Sequence, residues 1–178
     1  MLKIEHPIFE LNDSQNLEFK INEPIIKINI RGKNKDFFTK IGKILSIILP
    51  VEPNTSTSNG NLDTLWLSPD EWMIYLSENI FDDLYNQISK LNHGSVTDVS
   101  DQWVCIKIKG NKVFDLLSSG SPFNFREFKN SKNLVTQTLL NHVDVTIHHK
   151  EINEINLFVR RSFSEHLMSW LKDSSRFI

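Results

Sequence analysis

The chain has 178 residues, with 20 Lys and Arg against 22 Asp and Glu, and a formal net charge of -2 at pH 7. This length allows burial of roughly 70% of the surface of the unfolded chain, so a hydrophobic core is expected. The near-neutral charge argues against a nucleic acid partner, and the 39% of hydrophobic residues with only six Gly and six Pro exclude a disordered chain.

The sequence shows no signal for export or membrane insertion. Residues 1–7 lack the basic and apolar blocks of a secretory signal peptide. The longest wholly apolar run, residues 47–51, is far shorter than the ~20 residues that span a bilayer. The single cysteine, Cys105, cannot form an internal disulfide. These features predict a cytoplasmic protein with no membrane partner.

Residues 1–24 are mostly polar, with scattered apolar side chains that follow no regular period. This pattern predicts an extended N-terminal arm that packs on another surface. The first clear strand comes next, because Ile26, Ile28 and Ile30 alternate with polar residues up to Gly32.

A helix is predicted after this strand. Asn34 can serve as its N-cap, and Asp36 lies in the first turn, where the helix dipole favours an anion. Pro50 and Pro53 are expected to end the helix. Its apolar face is expected to contain Phe37, Ile41, Ile44, Leu45 and Ile48.

The polar residues 52–63 predict a loop. A hairpin is predicted after it, from residues 65–67 and 72–76, with a turn at residues 68–71. Pro69 has the fixed φ angle that the second turn position requires.

A second helix is predicted over about residues 80–91. Ser77 or Asn79 is expected to cap its N-terminus. Its apolar side is expected to present Phe81, Leu84, Ile88 and Leu91.

The second half of the chain repeats this order. Residues 104–108 alternate like a strand, end near Gly110, and precede a helix that begins near Val113. Residues 28–32 and 106–110 share the pattern of two isoleucines followed by a basic residue and Gly. The offset between the two segments, about 80 residues, indicates an internal duplication.

Three strands and a last helix complete the predicted elements. The strands are expected at residues 134–140, 143–148 and 155–159. Ser162 and Glu165 form a possible capping box at the start of the helix. Its buried face is expected to contain Phe163, Leu167, Trp170 and Leu171.

Together these elements predict an α+β fold built from a duplicated strand-helix-hairpin-helix unit. The sheets are expected to be mostly antiparallel, with helices on one face. The two pseudo-repeats span about residues 25–100 and 103–178. Because neither alone carries enough apolar surface for a secure core, we expect a single domain over residues 25–178.

Motifs for nucleotide and metal chemistry are missing from the sequence. No Gly-x-Gly-x-x-Gly follows a predicted strand, and no phosphate-binding Gly-x-x-x-x-Gly-Lys-Ser/Thr exists. His148 and His149 are adjacent on a strand, so their side chains point to opposite faces and cannot share one ion. We therefore expect no catalytic, cofactor-binding or metal residues in this chain.

Three weaker candidates remain. Ser118, Ser119 and Ser121 surround a glycine like a nucleophile turn, but a helix end at Gly120 explains them better. Cys105 could be a mildly activated thiol, yet a small packing residue is the favoured interpretation.

A cluster of Asp98, Ser100, Asp101 and Trp103 mixes carboxylates, a hydroxyl and an aromatic ring. It could form a pterin or other small-ligand site, although a polar turn between two strands is favoured. At the C-terminus, Arg176 and Phe177 suit a protein interface. We expect Trp170 to serve folding and Phe177 to serve assembly, with removal of residues 176–178 having little effect on the isolated chain.

Several segments in order resemble the gamma subunit of heterotetrameric sarcosine oxidase, over about residues 25–178. They are LSPDEW at 67–72, VTDVSD at 96–101, IKG at 108–110, LLSSGSP at 116–122, TQTLL at 136–140 and RSFSEHLMSWL at 161–171. The longer relatives of that family are the folate-binding aminomethyltransferase-like proteins, whose duplicated α+β core agrees with the repeat. The chain has Ser68 and Ser121 where the family is expected to have Gly and Cys.

The resemblance implies a non-catalytic structural subunit that assembles with alpha, beta and delta subunits. The enzyme would oxidise sarcosine to glycine, transfer the one-carbon unit to tetrahydrofolate and produce hydrogen peroxide. FAD, FMN, NAD, tetrahydrofolate and zinc would belong to the partner chains. The alternative implied by the resemblance is a free-standing folate-binding protein that uses the neighbourhood of Asp98 and Asp101.

Overall fold

The computed structural model describes residues 16–21, 26–76, 81–92 and 94–178, with the backbone alone at 81–83. The strands in this part of the chain are β1 (Glu18–Ile21), β2 (Ile26–Gly32), β3 (Ser56–Ser58), β4 (Leu62–Ser68), β5 (Glu71–Leu76), β6 (Gly94–Asp98), β7 (Trp103–Lys109), β8 (Leu134–Leu140), β9 (Val143–Glu151) and β10 (Glu154–Arg160). The helices are α1 (Lys35–Leu45), α2 (Phe81–Ser89), α3 (Val113–Gly120), α4 (Phe125–Phe128) and α5 (Arg161–Ser174), and a 3₁₀ turn (Ser175–Phe177) follows.

The chain divides into two units, each with its own antiparallel sheet. The middle unit contains the described residues between 26 and 100, and its sheet has the order β3-β4-β5-β2-β6. The composite unit combines residues 16–21 with 101–178, and its sheet has the order β8-β9-β10-β7-β1. The predicted α+β class and the antiparallel sheets are confirmed.

The two units share one strand order, which confirms the predicted duplication. Strand β2 contains the first matched segment and β7 contains the second as far as Lys109, and the two strands hold the same place in their sheets. Each sheet carries one additional edge strand, β3 in the middle unit and β8 in the composite unit. The other four strands of each sheet have the order of a ferredoxin-like β-α-β-β-α-β motif. The fourth strand of that motif is β6 in the middle unit but β1 in the composite unit. The N-terminal segment therefore takes the place that the last strand holds in the other repeat.

The core of the middle unit lies between its helices and one face of its sheet. Asn34 caps α1 as predicted, since its side-chain oxygen accepts a hydrogen bond from the Asp36 amide at 2.9 Å. The buried side chains of this core are Ile28, Ile30, Phe37, Ile41, Leu45, Leu49, Leu62, Trp72, Ile74, Leu76, Leu84 and Ile88. The helix and hairpin predicted from periodicity are therefore confirmed.

A larger core holds the composite unit together. Alternate residues of β7 and β10 face helices α3 and α5, and an aromatic group centred on Phe114, Phe125 and Phe128 extends it. Leu17 and Phe19, on the N-terminal segment, are also buried in this core. These two apolar side chains of the predicted arm thus join the composite core, while residues 1–15 and 22–25 lie outside the described residues.

The end of α1 differs from the prediction. The helix ends at Leu45 because Ser46 adopts a left-handed conformation with φ of 52°. Ile48 therefore does not continue the helical face and is 84% exposed. The segment predicted as a loop also contains β3, which pairs with β4 from Ser56 to Ser58.

The start of α5 is a second correction. The helix begins at Arg161, directly after β10, so Ser162 lies inside the first turn, and no side chain caps the N-terminus. The predicted capping box is therefore wrong. The buried face of α5 also differs from the predicted one. It contains Ser164, Leu167, Met168 and Leu171, while Phe163 is 49% exposed. In the described part of the chain, no helix is long and apolar enough to cross a membrane.

Candidate interaction surface

The predicted cluster around Asp98 separates into two structural groups. Ser100 donates two hydrogen bonds to Asp98 Oδ1, from its hydroxyl at 2.5 Å and from its amide at 2.9 Å. The Lys27 amide in turn donates to the Ser100 hydroxyl at 3.0 Å. Asp98 and Ser100 therefore form the polar turn that the sequence favours, and the hydrogen bond from Lys27 joins this turn to β2.

Asp101 and Trp103 contact the residues at which α5 begins. The Arg161 Nε donates to the Asp101 carbonyl oxygen at 2.8 Å, and its guanidinium lies 3.6 Å from the Asp101 carboxylate. The Arg160 guanidinium lies 5.3 Å from the centre of the Trp103 ring, within the range of a cation–π interaction. These contacts hold the β10–α5 junction against the start of β7.

The three serines near Gly120 make structural hydrogen bonds. Ser118 and Ser119 donate to the carbonyl oxygens of Phe114 and Leu116 within α3, both at 2.7 Å. The Ser121 hydroxyl accepts from the Phe123 amide at 3.2 Å. A catalytic serine is activated by an adjacent base, whereas these hydroxyls contact backbone groups and, for Ser121, the Thr138 hydroxyl at 3.3 Å. The geometry does not favour a hydrolase.

The two adjacent histidines are buried on opposite faces of β9. The His149 Nδ1 lies 3.0 Å from the Phe128 carbonyl oxygen, and its ring stacks on Phe128 with centroids 5.6 Å apart. His148 faces the other side of the sheet, next to Asn156 in the ladder. Among the described residues, no three His, Cys, Asp or Glu side chains come together as a metal site.

Cys105 lies on the strand face that alternation assigns away from α3 and α5. It is only 3% exposed, and it pairs in the ladder with Phe158, which is completely buried. Met73 and Tyr75 on the corresponding face of the middle unit are also buried. Cys105 is thus buried beside Phe158 on this face of the sheet, in the manner of a small packing residue.

An apolar groove lies on the surface of the middle unit. It has a volume of about 620 Å³ and lies beside the second half of α1 and the segment that follows. Its lining residues are Phe38, Thr39, Gly42, Lys43, Ser46, Ile47, Ile48, Leu49 and Val51. Ile48 and Val51 are 84% and 76% exposed, so the groove presents large apolar side chains to the surface.

A helix C-cap forms one end of this groove. Ser46 in its left-handed conformation lets the Ile47 amide donate back to the Gly42 carbonyl oxygen at 3.1 Å, as in a Schellman motif. A Cβ atom at position 42 would lie 3.0 Å from the Ile47 carbonyl oxygen. Gly42 therefore allows the chain to turn sharply, which places Ile48 outside the core.

Hydrogen bonds hold the exposed segment in place. The Ile48 carbonyl oxygen accepts from the Thr57 hydroxyl at 2.8 Å, and the Pro50 carbonyl oxygen accepts from the Trp72 indole at 2.8 Å. Leu49 and Pro50 are buried between the two exposed side chains. Ile48 and Val51 are therefore presented on an anchored backbone, which lowers the entropy lost when a partner binds.

Sequence reasoning alone does not identify this groove. Periodicity assigns Ile48 to the buried helical face, and the apolar run of residues 47–51 stands out only as too short to span a membrane. An apolar run that continues beyond a helix C-terminus is the available signal. It cannot be interpreted without the conformation of Ser46, because a single left-handed residue decides which side chains turn outward.

The composite unit also exposes apolar side chains. Phe177 in the terminal 3₁₀ turn is 85% exposed, while the neighbouring Ile178 packs against the core. Phe163 on the first turn of α5 is 49% exposed. Exposed apolar side chains are therefore present on both units.

The sequence and the fold both have counterparts among known proteins. A family model described as the sarcosine oxidase, gamma subunit family matches residues 31–176. No curated protein sequence matches the chain.

Solved structures share the fold. A chain of the heterotetrameric sarcosine oxidase from Corynebacterium sp. U-96, in complex with pyrrole 2-carboxylate, has a TM-score of 0.82 and 20% identity, over 93% of this chain and 86% of that chain. The glycine cleavage system aminomethyltransferase T from Bartonella henselae has a TM-score of 0.66 and 11% identity, over 90% of this chain and 46% of that chain. This chain therefore spans less than half of the aminomethyltransferase.

Proposed function

Since the chain belongs to the sarcosine oxidase gamma subunit family, we propose that it is a non-catalytic assembly subunit of a heterotetrameric sarcosine oxidase. The observation that carries the proposal is the family match over residues 31–176. The hydrogen bonds of the candidate side chains support a structural role, because Asp98, Ser118 and Ser119 are engaged within their own turns and helix.

The proposed complex contains alpha, beta and delta subunits besides this chain and works in the cytoplasm. It demethylates sarcosine oxidatively to glycine, passes the one-carbon unit to tetrahydrofolate and yields hydrogen peroxide. FAD, FMN, NAD, tetrahydrofolate and zinc are assigned to the partner subunits. This chain contributes apolar surface that stabilises the assembly rather than groups that react.

Co-expression with the alpha, beta and delta subunits tests this proposal. We expect a four-chain complex in size-exclusion chromatography, with sarcosine-dependent hydrogen peroxide production. Omission of this chain should leave an incomplete or unstable assembly. Recovery of a fully assembled and active complex without it would refute an assembly role.

The alternative from the sequence, a free-standing folate-binding protein, predicts binding by the isolated chain. Asp98 Oδ1 is already occupied by two hydrogen bonds from Ser100, which leaves that oxygen poorly placed to recognise a pterin. Titration of the isolated chain with tetrahydrofolate in a calorimeter decides between the two. Saturable binding with micromolar affinity would favour the alternative, and no binding heat is expected from the assembly subunit.

A further inference from the structure

The groove beside α1 combines an apolar wall with a positive charge. Phe38, Ile47 and Leu49 supply apolar lining, while Lys43 is its charged lining residue. Lys40 lies three residues before Lys43 on the same helix and is also exposed. Of the acidic residues nearest along the chain, Glu52 is exposed directly after the lining residue Val51, and neither Glu52 nor Asp36 is itself a lining residue.

This combination restricts what the groove can bind favourably. Apolar side chains of an occupant would remove Ile48 and Val51 from water, which is favourable in proportion to the apolar area buried. An occupant that brought a basic residue beside Lys43 would meet like-charge repulsion, whereas a carboxylate would be attracted. The groove therefore matches an occupant that carries both apolar side chains and a carboxylate.

The occupant is expected to be a polypeptide. Hydrogen bonds from Thr57 and Trp72 hold the backbone that carries Ile48 and Val51, so these two side chains are preorganised. Preorganised apolar side chains are typical of protein–protein interfaces. A volume of about 620 Å³ accommodates several side chains of a short segment.

We propose that this groove binds an apolar segment with an acidic residue, contributed by another subunit of the oxidase. The inference rests on the proposed function and adds the surface and the chemistry of the partner segment. The apolar side chains of the segment pack against Ile48 and Val51, and its carboxylate lies beside Lys43.

The test uses the full chain, co-expressed with the alpha, beta and delta subunits. The variants Ile48→Asp and Lys43→Glu change the apolar wall and the charge, respectively. Val51→Asp provides a second apolar variant in case one substitution impairs folding, which the melting temperature of each isolated chain reveals. Ile152→Asp and Lys129→Glu are matched controls on the composite unit, where Ile152 is 68% exposed and Lys129 is also exposed.

We expect Ile48→Asp and Val51→Asp to weaken capture of the partner subunits by roughly tenfold or more. Lys43→Glu should weaken capture by a smaller factor at low salt, and the difference from wild type should shrink as salt is raised. The controls should bind like the wild type. Unchanged capture by both apolar variants, or an equal loss with Ile152→Asp, would overturn the inference.

Further outcomes separate this inference from the proposed function. A normal complex with Lys43→Glu at all salt concentrations would overturn the acidic character of the segment. Self-association of the isolated chain that Ile48→Asp abolishes would show that a second copy occupies the groove, and would also overturn the inference. Failure of the wild-type chain to enter any complex would refute the proposed function itself, whereas groove variants that assemble normally leave that function intact.

Discussion

The Asn16 carbonyl oxygen lies against Gly110, in the space that a Cβ atom at position 110 would occupy. Gly110 has φ of 143°, and its amide donates to the Asn153 carbonyl oxygen at 2.9 Å. This contact lies where β1 begins to pair with the end of β7, at Glu18 and Lys109. It brings the N-terminal segment and the second repeat together to complete one sheet.

We predict that Gly110→Ala destabilises the chain by about 3 kcal/mol or more. A side chain at this position adds backbone strain and overlaps the Asn16 carbonyl group, which cannot rotate away as a flexible side chain could. Urea denaturation followed by circular dichroism measures the change in the free energy of unfolding.

Gly60→Ala is the matched control for this prediction. Gly60 also has a positive φ, of 90°, but no atom lies within 4 Å of the position that a Cβ atom would take there. Its substitution should therefore cost only the conformational strain, about 1 kcal/mol. Equal losses for the two variants would show that close packing against Asn16 contributes nothing.

Trp170 and Phe177 are predicted to have different roles. Trp170 packs over Gly120 and against the composite core, so Trp170→Ala should destabilise the isolated chain by about 3 kcal/mol. Phe177 is 85% exposed, so Phe177→Ala should change stability by less than about 0.5 kcal/mol and weaken capture of the partner subunits. Melting temperature and pull-down are measured on both variants.

The Phe177→Ala substitution tests the role of Phe177 more directly than removal of residues 176–178 does. Ile178 packs against the composite core, so the truncated chain would lose folding contacts together with Phe177. Normal capture by the Phe177→Ala chain would remove this residue from the interface.

Asp70 makes a predictable contribution to the dependence of stability on pH. The Ser68 hydroxyl donates to the Asp70 carboxylate at 2.9 Å and, together with the charges of Lys33 and Arg31, lowers the pKa of Asp70. A carboxylate whose pKa is lowered by folding stabilises the folded state above its unfolded pKa, about 4, and this contribution is lost as the pH falls further.

Asp70→Asn should therefore flatten the fall in stability between about pH 5 and pH 3. Urea denaturation of both chains at a series of pH values measures this slope. Asp144→Asn, which changes an exposed carboxylate on β9, is the control. An identical pH dependence for wild type and Asp70→Asn would contradict the assignment.

We predict that the chain unfolds in one cooperative transition, as expected for a single domain over residues 25–178. The strands β1 and β7 belong to one sheet, but the middle unit lies between them in the chain. Pairing of Ile28 with Asp98 holds the two ends of the middle unit side by side. If the middle unit unfolds, the composite unit must close a long flexible loop, at an entropic cost of roughly 4 kcal/mol.

Differential scanning calorimetry measures this cooperativity. The ratio of calorimetric to van't Hoff enthalpy should be close to one, and Ile74→Ala in the middle core should shift the entire transition. Two separate transitions, only one of which responds to Ile74→Ala, would show that the units unfold independently.

Local order was predictable from the sequence because it depends on neighbours along the chain. The alternation of Ile28 and Ile30, the Asn34 cap and the turn at Pro69 each act within a few residues, and the structure contains all three. The similarity of residues 28–32 and 106–110 indicated the duplication for the same reason, since each segment forms the equivalent strand of its repeat.

Helix ends were less predictable, and the candidate surface depended on one of them. The apolar spacing from Phe37 to Ile48 fits a helix, but Ser46 adopts a left-handed conformation and turns Ile48 outward. A residue other than glycine rarely takes this conformation, so sequence alone does not indicate it. The start of the last helix likewise depends on where β10 ends. Because α5 begins directly after β10, Phe163 lies outside the buried face.

The sequence by itself determined the class of the fold, the order of its elements and the family, because periodicity, turn residues and ordered motifs are properties of the chain alone. Only the tertiary structure decided that the N-terminal segment completes the second sheet, that the Cys105 face is buried, and that Ile48 and Val51 line a surface groove. The first two features depend on pairing and packing between residues far apart in the chain, and the third depends on the left-handed conformation of Ser46 together with the hydrogen bonds from Thr57 and Trp72. No local pattern specifies such contacts, since their free energy arises only when the distant segments meet.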